Sequence, residues 1–284
     1  MSALGPVLAL MAAMLSFQVG ATLAKSLFPV LGIEGTAALR LGFAALILII
    51  TLRAWRARLD AGNWQALLGY GVTLAGMNMM YYQAVSHLPL GVASAIQFLG
   101  PLTVAVLFSR APLDFLWAAL AAAGLLLLTP LAATAGNLSP VGIAWALGGA
   151  SCWGLYIIFG RKAGRQHGAR TTALGMTVAA CIALPVGLNQ AQSLLPNPGL
   201  LPIVIVMTLL SSVIPFTLEM VALRNLSARS LGTLMSLEPA ISALVGLTIL
   251  GERLTAAQTL AIGLIVAASV GTVACGRPRE AKTG

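Results

Sequence analysis

The chain has 284 residues, of which 59% are hydrophobic and 8% charged, with a mean hydropathy of +0.95 and a formal net charge of +9. Ordinary soluble domains are about 45–50% apolar and about 25% charged, so this sequence cannot cover a water-facing globular surface and requires lipid as solvent. The basic residues stand in short groups between apolar runs, not on one polar face, which excludes a nucleic-acid-binding surface.

A helix needs about 20 apolar residues to cross the hydrocarbon core. By that measure the sequence predicts ten spans, beginning with Pro6–Leu27, Gly35–Leu52, Trp64–Val85, Leu90–Ser109 and Asp114–Pro130. The second half supplies Val141–Gly160, Thr171–Leu188, Leu200–Leu223, Ser230–Leu250 and Ala256–Cys275. Met1-Ser2-Ala3-Leu4 lacks a basic n-region, so the first run reads as a span and not as a cleavable signal. The connections, such as "RKAGRQHGAR" and "NQAQSLLPNP", are too short to hold a soluble domain. With the N-terminus inside, the inside loops and tail hold Arg53, Arg56, Arg58, Arg110, Arg161, Lys162, Arg165, Arg170, Arg224, Arg229, Arg277, Arg279 and Lys282. The outside loops hold only Lys25 and Arg253, and Arg40 falls within a span. This bias agrees with the positive-inside rule and puts both termini in the cytoplasm.

The two halves resemble one another. Leu88–Leu107 ("LPLGVASAIQFLGPLTVAVL") aligns with Leu226–Val245 ("LSARSLGTLMSLEPAISALV"), which sets Pro101 opposite Pro239 and Gly100 opposite Glu238. Five spans is an odd number, so a duplicated unit enters the membrane from opposite sides. The expected fold is therefore all-α, with ten transmembrane helices in two inverted five-helix repeats, residues 1–134 and 135–284. Many secondary transporters share that arrangement, with the substrate site at the midplane, near spans interrupted by Gly or Pro. Pro101, Pro239 and Pro215 are the candidate helix breaks; each either shapes a cavity or only kinks a packed helix.

Few ionisable groups lie within the spans: Arg40, Glu219 and Glu238, with Lys25, Asp114 and Glu252 near ends. A charge at the bilayer centre costs about 2.5–3.5 kcal/mol on insertion scales, and such residues usually face a bundle interior or wet cavity. Pro239 has no N–H and frees the carbonyl of Met235 beside Glu238. Ser211, Ser212 and Pro215 similarly precede Glu219. In the first half, Asn78, Tyr81 and Tyr82 occupy the third span and Gln97 the fourth, while Trp153 and Tyr156 sit in the sixth. The acids belong only to the second half, which suits a site that distinguishes the two ends of a substrate. A carboxyl in a poorly solvated cavity holds its proton to higher pH than in water. Either Glu238 and Glu219 exchange protons, or they tie helices together through Arg40 and hydroxyls. Arg40 either binds a carboxylate or serves as a structural counter-ion, and Lys25 reads as snorkelling to the interface. Trp153 is either a cavity wall or simple packing. Gly20 and Gly154 read as close helix contacts, and Cys152, Cys181 and Cys275 as small core residues with no metal-ligand spacing.

These residues resemble the EamA-type drug/metabolite transporter superfamily, and within it the bacterial threonine/homoserine exporters. The likeness rests on "GATLAKSLFPVLG", "ALRLGFAALILI", "YGVTLAGMN", "PFTLEMVAL", "GTLMSLEPA" and "LEPA…LGERLT". It implies a multi-pass exporter in the bacterial cytoplasmic membrane that carries small amino acids by proton antiport with alternating access. No cofactor is implied, the proton gradient being the energy source. It also implies a central cavity from spans one to four and six to nine, with spans five and ten peripheral. The expected partners are a small amino acid, protons and the bilayer. In such a carrier Glu238 or Glu219 would take the substrate ammonium, and Arg40, Tyr81 or Gln97 its carboxylate. Export of another small metabolite or drug on the same fold stays open. An enzyme is disfavoured, since the sequence has no H-E-x-x-H, P-loop or G-x-S-x-G.

Overall fold

The computed structural model describes residues 4–56, 64–88, 93, 96–108, 112–128, 139–235, 237–238, 241 and 256–274, and among these it is helical without strands. Helix α1, Leu4–Leu31, runs one turn past the predicted Leu27 and carries Pro29 in its last turn. Gly32 ends it with φ +67 and α2, Ile33–Leu52, follows at once. Only glycine suits that turn, because a Cβ there would also lie 2.2 Å from Oε1 of Gln190. The connection between the first two spans is thus shorter than expected, and Glu34 falls inside the first turn of α2. There it complements the positive helix end.

Helix α3 spans Trp64–His87, α4 Leu99–Leu107 and α5 Pro112–Leu128. Helix α6, Pro140–His167, starts with Ser139 accepting from Gly142 N at 3.3 Å and stops at Gly168, φ +63. After α7, Arg170–Ala191, α8 spans Leu201–Thr208 and passes through a π turn, Leu209–Val213, into α9, Ile214–Asn225. Helices α10, Ala228–Met235, and α11, Ala256–Ala274, complete the described chain. Among the described residues, five helical stretches are long and apolar enough to cross a membrane: Leu4–Ala24, Ile33–Leu52, Pro140–His167, Arg170–Leu194 and Pro198–Asn225.

The packing is pairwise. Helix α2 lies along α7, α3 along α6 and α7, α1 along α9 and the π turn, α4 along α10 and α5 along α11. The interior is built from small and aliphatic residues such as Ala38, Leu41, Leu74, Met176 and Met220, while Leu8, Leu46, Ile50, Leu126 and Val270 point outward. Outward-facing large apolar side chains on every side are what a bundle solvated by lipid requires. Cys181 is on that outer surface, contrary to the core position expected for it, because its face of α7 turns away from the neighbouring helices.

The α1 contact depends on Gly20. A Cβ on Gly20 would stand 2.5 Å from Ser211 N and 2.8 Å from the Leu210 carbonyl carbon, so the two backbones touch directly. Ser16 Oγ donates to Leu210 O at 2.7 Å across the same seam, which supplies a partner to a carbonyl loosened by the π turn. At the α4–α6 crossing the tight residue is Gly100, opposite the Ala150 carbonyl, and not Gly154, whose Cβ would make only ordinary contact.

Candidate functional site

Two polar levels occupy the bundle interior. At the first, Arg40 of α2 is only 2% exposed, and its Nη2 donates to Asn78 Oδ1 on α3. Asn78 in turn donates to Leu74 O at 2.8 Å, which fixes the amide with its oxygen toward the guanidinium. The Arg40 guanidinium carbon lies 5.3 Å from the ring centre of Tyr82, a cation–π contact, and Phe28 meets that ring edge-on at 6.1 Å. Arg40 Nε has no hydrogen-bond acceptor, and among the described residues no carboxylate pairs with the group. A buried cation held by one amide and one aromatic face retains donors for an incoming anion.

The second level contains Glu219 of α9, whose Oε1 is buried without a partner. One turn before it on α9, Phe216 meets the Tyr156 ring edge-on at 6.2 Å, and Glu238 stands just beyond α10. Both acids are half-buried. Ser212 Oγ, in the π turn one helix segment above, is buried and also unpartnered, while Ser211 Oγ donates to Met207 O at 2.6 Å.

The spacing of the levels follows from α3. Asn78 belongs to the Arg40 level and Tyr70, bonded to Tyr156, to the Glu219 level. Eight residues of α-helix separate them, about 12 Å.

The other candidates distribute as follows. Gln97 is buried and its Nε2 donates to Met77 O at 3.0 Å, so it braces α3 at the approach to α4. Tyr81 packs against the satellite core of Ala84, Leu88 and Ala146, with its ring 6.2 Å from that of Tyr82. Trp153 meets Phe98 edge-on at 5.0 Å and is half-buried in the main core. Pro101 is buried in the first turn of α4, just after a turn at Phe98. Pro215 does not break its helix: the chain stays helical through the π turn, which accommodates the missing N–H. Pro239 lies outside the described residues, as does Glu252.

The sequence reading missed Glu34, Gln83 and Gln190. Gln83 Nε2 donates to Glu34 Oε1 at 2.9 Å, Gln190 Nε2 to Oε2 at 3.3 Å, and Gly35 N to Gln190 Oε1 at 3.0 Å. This cluster closes the Gly32 end of the α2–α3–α7 seam. Beside it runs a side cavity of about 380 Å³ lined by Glu34, Tyr82, Gln83, Met79, Met80 and Ile182 among others. The signal was present in "GIEGTAAL": an acid just before an apolar run is as much a first-turn residue as a loop residue.

Lone ionisable side chains turned into an apolar helical bundle mark a route across the membrane, and the class so defined is a membrane transporter. Residues 140–274 match the EamA-like transporter family. The chain is 46% identical, over 94% of its own length and 90% of the relative's, to the threonine/homoserine exporter RhtA of Escherichia coli K12, with the same identity and coverage for RhtA of Salmonella typhimurium LT2. It is 26% identical over 72% of its length and 69% of the relative's to YedA, an uncharacterized inner membrane transporter of E. coli K12. A solved crystal structure superposes with a TM-score of 0.74 at 20% identity, covering 95% of this chain and 96% of that one, which speaks for the fold. The chain belongs to the EamA-like transporter family, and it is a protein of the inner membrane.

Proposed function

We propose that this protein exports small amino acids of the threonine/homoserine type across the cytoplasmic membrane by proton antiport with alternating access. The observation that carries the reading is the 46% identity to RhtA across 94% of the chain. Arg40, with Asn78 and Tyr82, receives the substrate carboxylate. Glu238 and Glu219 exchange the proton and meet the ammonium as the substrate passes between levels. Gln97, Tyr81 and Trp153 shape the walls, and Pro101 and Pro215 sit at the helix irregularities around them.

The same reading holds that ten spans form two inverted repeats, residues 1–134 and 135–284, with both termini cytoplasmic. Helix pairing supports it. Counting α8 and α9 as one span, the pairs 2–7, 4–9 and 5–10 each map onto themselves when the halves exchange, and 3–6 maps onto 8–1. The family match to 140–274 falls within the second half. Arg53, Arg56, Lys162, Arg165, Arg170 and Arg224 gather near one set of helix ends, which supports a cytoplasmic assignment for that side.

A second reading, export of another small metabolite or drug, is favoured by the largely apolar lining of the 380 Å³ side cavity. One experiment separates the two. Cells expressing the protein are preloaded with labelled homoserine and efflux is followed with and without a protonophore. Protonophore-sensitive efflux above the empty-vector rate is the expected outcome; a rate equal to the vector's contradicts amino-acid export.

A further inference from the structure

We propose that the side cavity is a groove for one membrane phospholipid with a primary-ammonium headgroup, its ammonium held by Glu34 and one acyl chain laid along α3. This goes beyond the export reading and does not depend on which solute is carried. Val72, Gly76, Met79, Met80 and Gln83 line the cavity from α3. Their spacing of i, i+4, i+7, i+8 and i+11 is one stripe of a helix, so the cavity follows α3 lengthwise. From Val72 to Gln83 is eleven residues, about 16 Å of α-helix. The hydrocarbon core is about 30 Å thick, so the groove has the depth of one leaflet. Ile182, Ala183 and Val186 of α7 form the facing wall. Val72, Trp145, Ile182 and Val186 are exposed, so the groove opens sideways to the bilayer. Tyr82 lines the groove and carries Arg40 on its ring, so it stands between the groove and the Arg40 level.

The polar end lies where the helices end. Glu34 is in the first turn of α2, Gln83 in the last two turns of α3 and Trp145 in the second turn of α6. Helix α6 begins beside the end of α3, since a Cβ on Gly142 would stand 2.6 Å from Leu88 and 2.8 Å from His87. That is interfacial depth, where lipid headgroups reside and tryptophan is enriched. Glu34 accepts only from neutral amides, Gln83 Nε2 at 2.9 Å and Gln190 Nε2 at 3.3 Å, and no cation pairs with it among the described residues. A carboxylate has about four lone-pair sites, so capacity remains for an ammonium. An anionic headgroup would instead bring a second negative charge to Glu34. Trp145 supplies an indole N–H, a donor suited to the lipid phosphate.

The test is native mass spectrometry of the detergent-purified protein, titrated with phosphatidylethanolamine and with phosphatidylglycerol of the same chains. Wild-type protein is expected to bind the ethanolamine lipid about tenfold more tightly, the weight of one charge-assisted hydrogen bond. Glu34→Gln should bring the two affinities together. Ile182→Trp, on the exposed groove wall, should weaken both lipids alike while the headgroup preference stays. Equal affinities in the wild-type protein, or a preference that survives Glu34→Gln, overturn the proposal. Ile182→Trp keeps it open to refutation if Glu34→Gln purifies poorly, because undiminished binding of both lipids there overturns the groove. Dodecylamine carries the same ammonium on a free single chain. Its binding, with none by phosphatidylethanolamine, would assign the groove to soluble amphipathic amines and overturn the lipid assignment. No transport is measured, so each outcome leaves the export reading to its own experiment.

Discussion

Replacing Arg40 separates binding from stability. The guanidinium is 2% exposed and its described partners are one amide oxygen and one aromatic face. A charged hydrogen bond contributes about 1.5–3 kcal/mol and a desolvated cation–π contact about 2 kcal/mol, while desolvating an unpaired cation costs several kcal/mol. The two sides nearly cancel, so Arg40→Met should melt within a few degrees of wild type or above it. Binding should change far more. Losing a charge-assisted contact to a substrate carboxylate, about 1.5–3 kcal/mol, weakens affinity roughly tenfold to a hundredfold. Arg40→Lys keeps the charge but not the planar fork, and should fall between. The assay is thermal unfolding in detergent with and without threonine. Ligand at a hundred times its Kd stabilises by about 2.7 kcal/mol, and that increment should vanish in Arg40→Met. An Arg40→Met protein that melts far lower yet retains the full threonine increment would falsify the substrate role and make Arg40 a structural counter-ion.

Three further outcomes follow from the geometry. Gly20→Val places branched carbon where Ser211 N is 2.5 Å from a mere Cβ, so α1 must part from the π turn; overpacking of this kind costs about 1–3 kcal/mol, read as a lower melting temperature and reduced yield. Glu34→Ala removes an acceptor from Gln83 and Gln190 and should destabilise by about 1–3 kcal/mol, with proton-driven transport retained in the protein that folds; loss of coupling at normal stability would instead bring Glu34 into the proton pathway. Ser212→Ala leaves packing nearly unchanged, because its hydroxyl has no partner to lose; an altered threonine KM at unchanged melting temperature would place that hydroxyl on the substrate route.

The helices were legible in the sequence because apolar run length is a direct consequence of bilayer thickness: α2, α3 and α7 fall within three residues of their expected bounds, whereas α6 continues past Gly160 through the basic stretch to His167. Arg40, Asn78 and Glu219 were legible for a related reason: a polar group in an apolar run needs a partner or a cavity. What pattern could not supply was which polar groups meet. Gln97, a candidate site residue, also donates to the Met77 carbonyl, a contact that the sequence pattern does not encode. Tyr156 could be placed only within the sixth span, and it stacks on Tyr70 through a crossing of α3 and α6 that no local spacing encodes. Glu34 was missed because Gly32 makes the first connection a single residue, a property of one φ angle and not of composition. Pro215 suggested a break, but the extra residue of a π turn absorbs the lost hydrogen bond without interrupting the helix.

The central claim, proton-coupled amino-acid export through the interior acids, is tested most directly in inside-out vesicles given a proton gradient and labelled threonine or homoserine. Inside-out orientation turns export into uptake. The account predicts gradient-dependent accumulation by the wild-type protein, lost in Glu238→Gln although that variant reaches the membrane in normal amount. Full gradient-driven accumulation by Glu238→Gln and Glu219→Gln alike would contradict it.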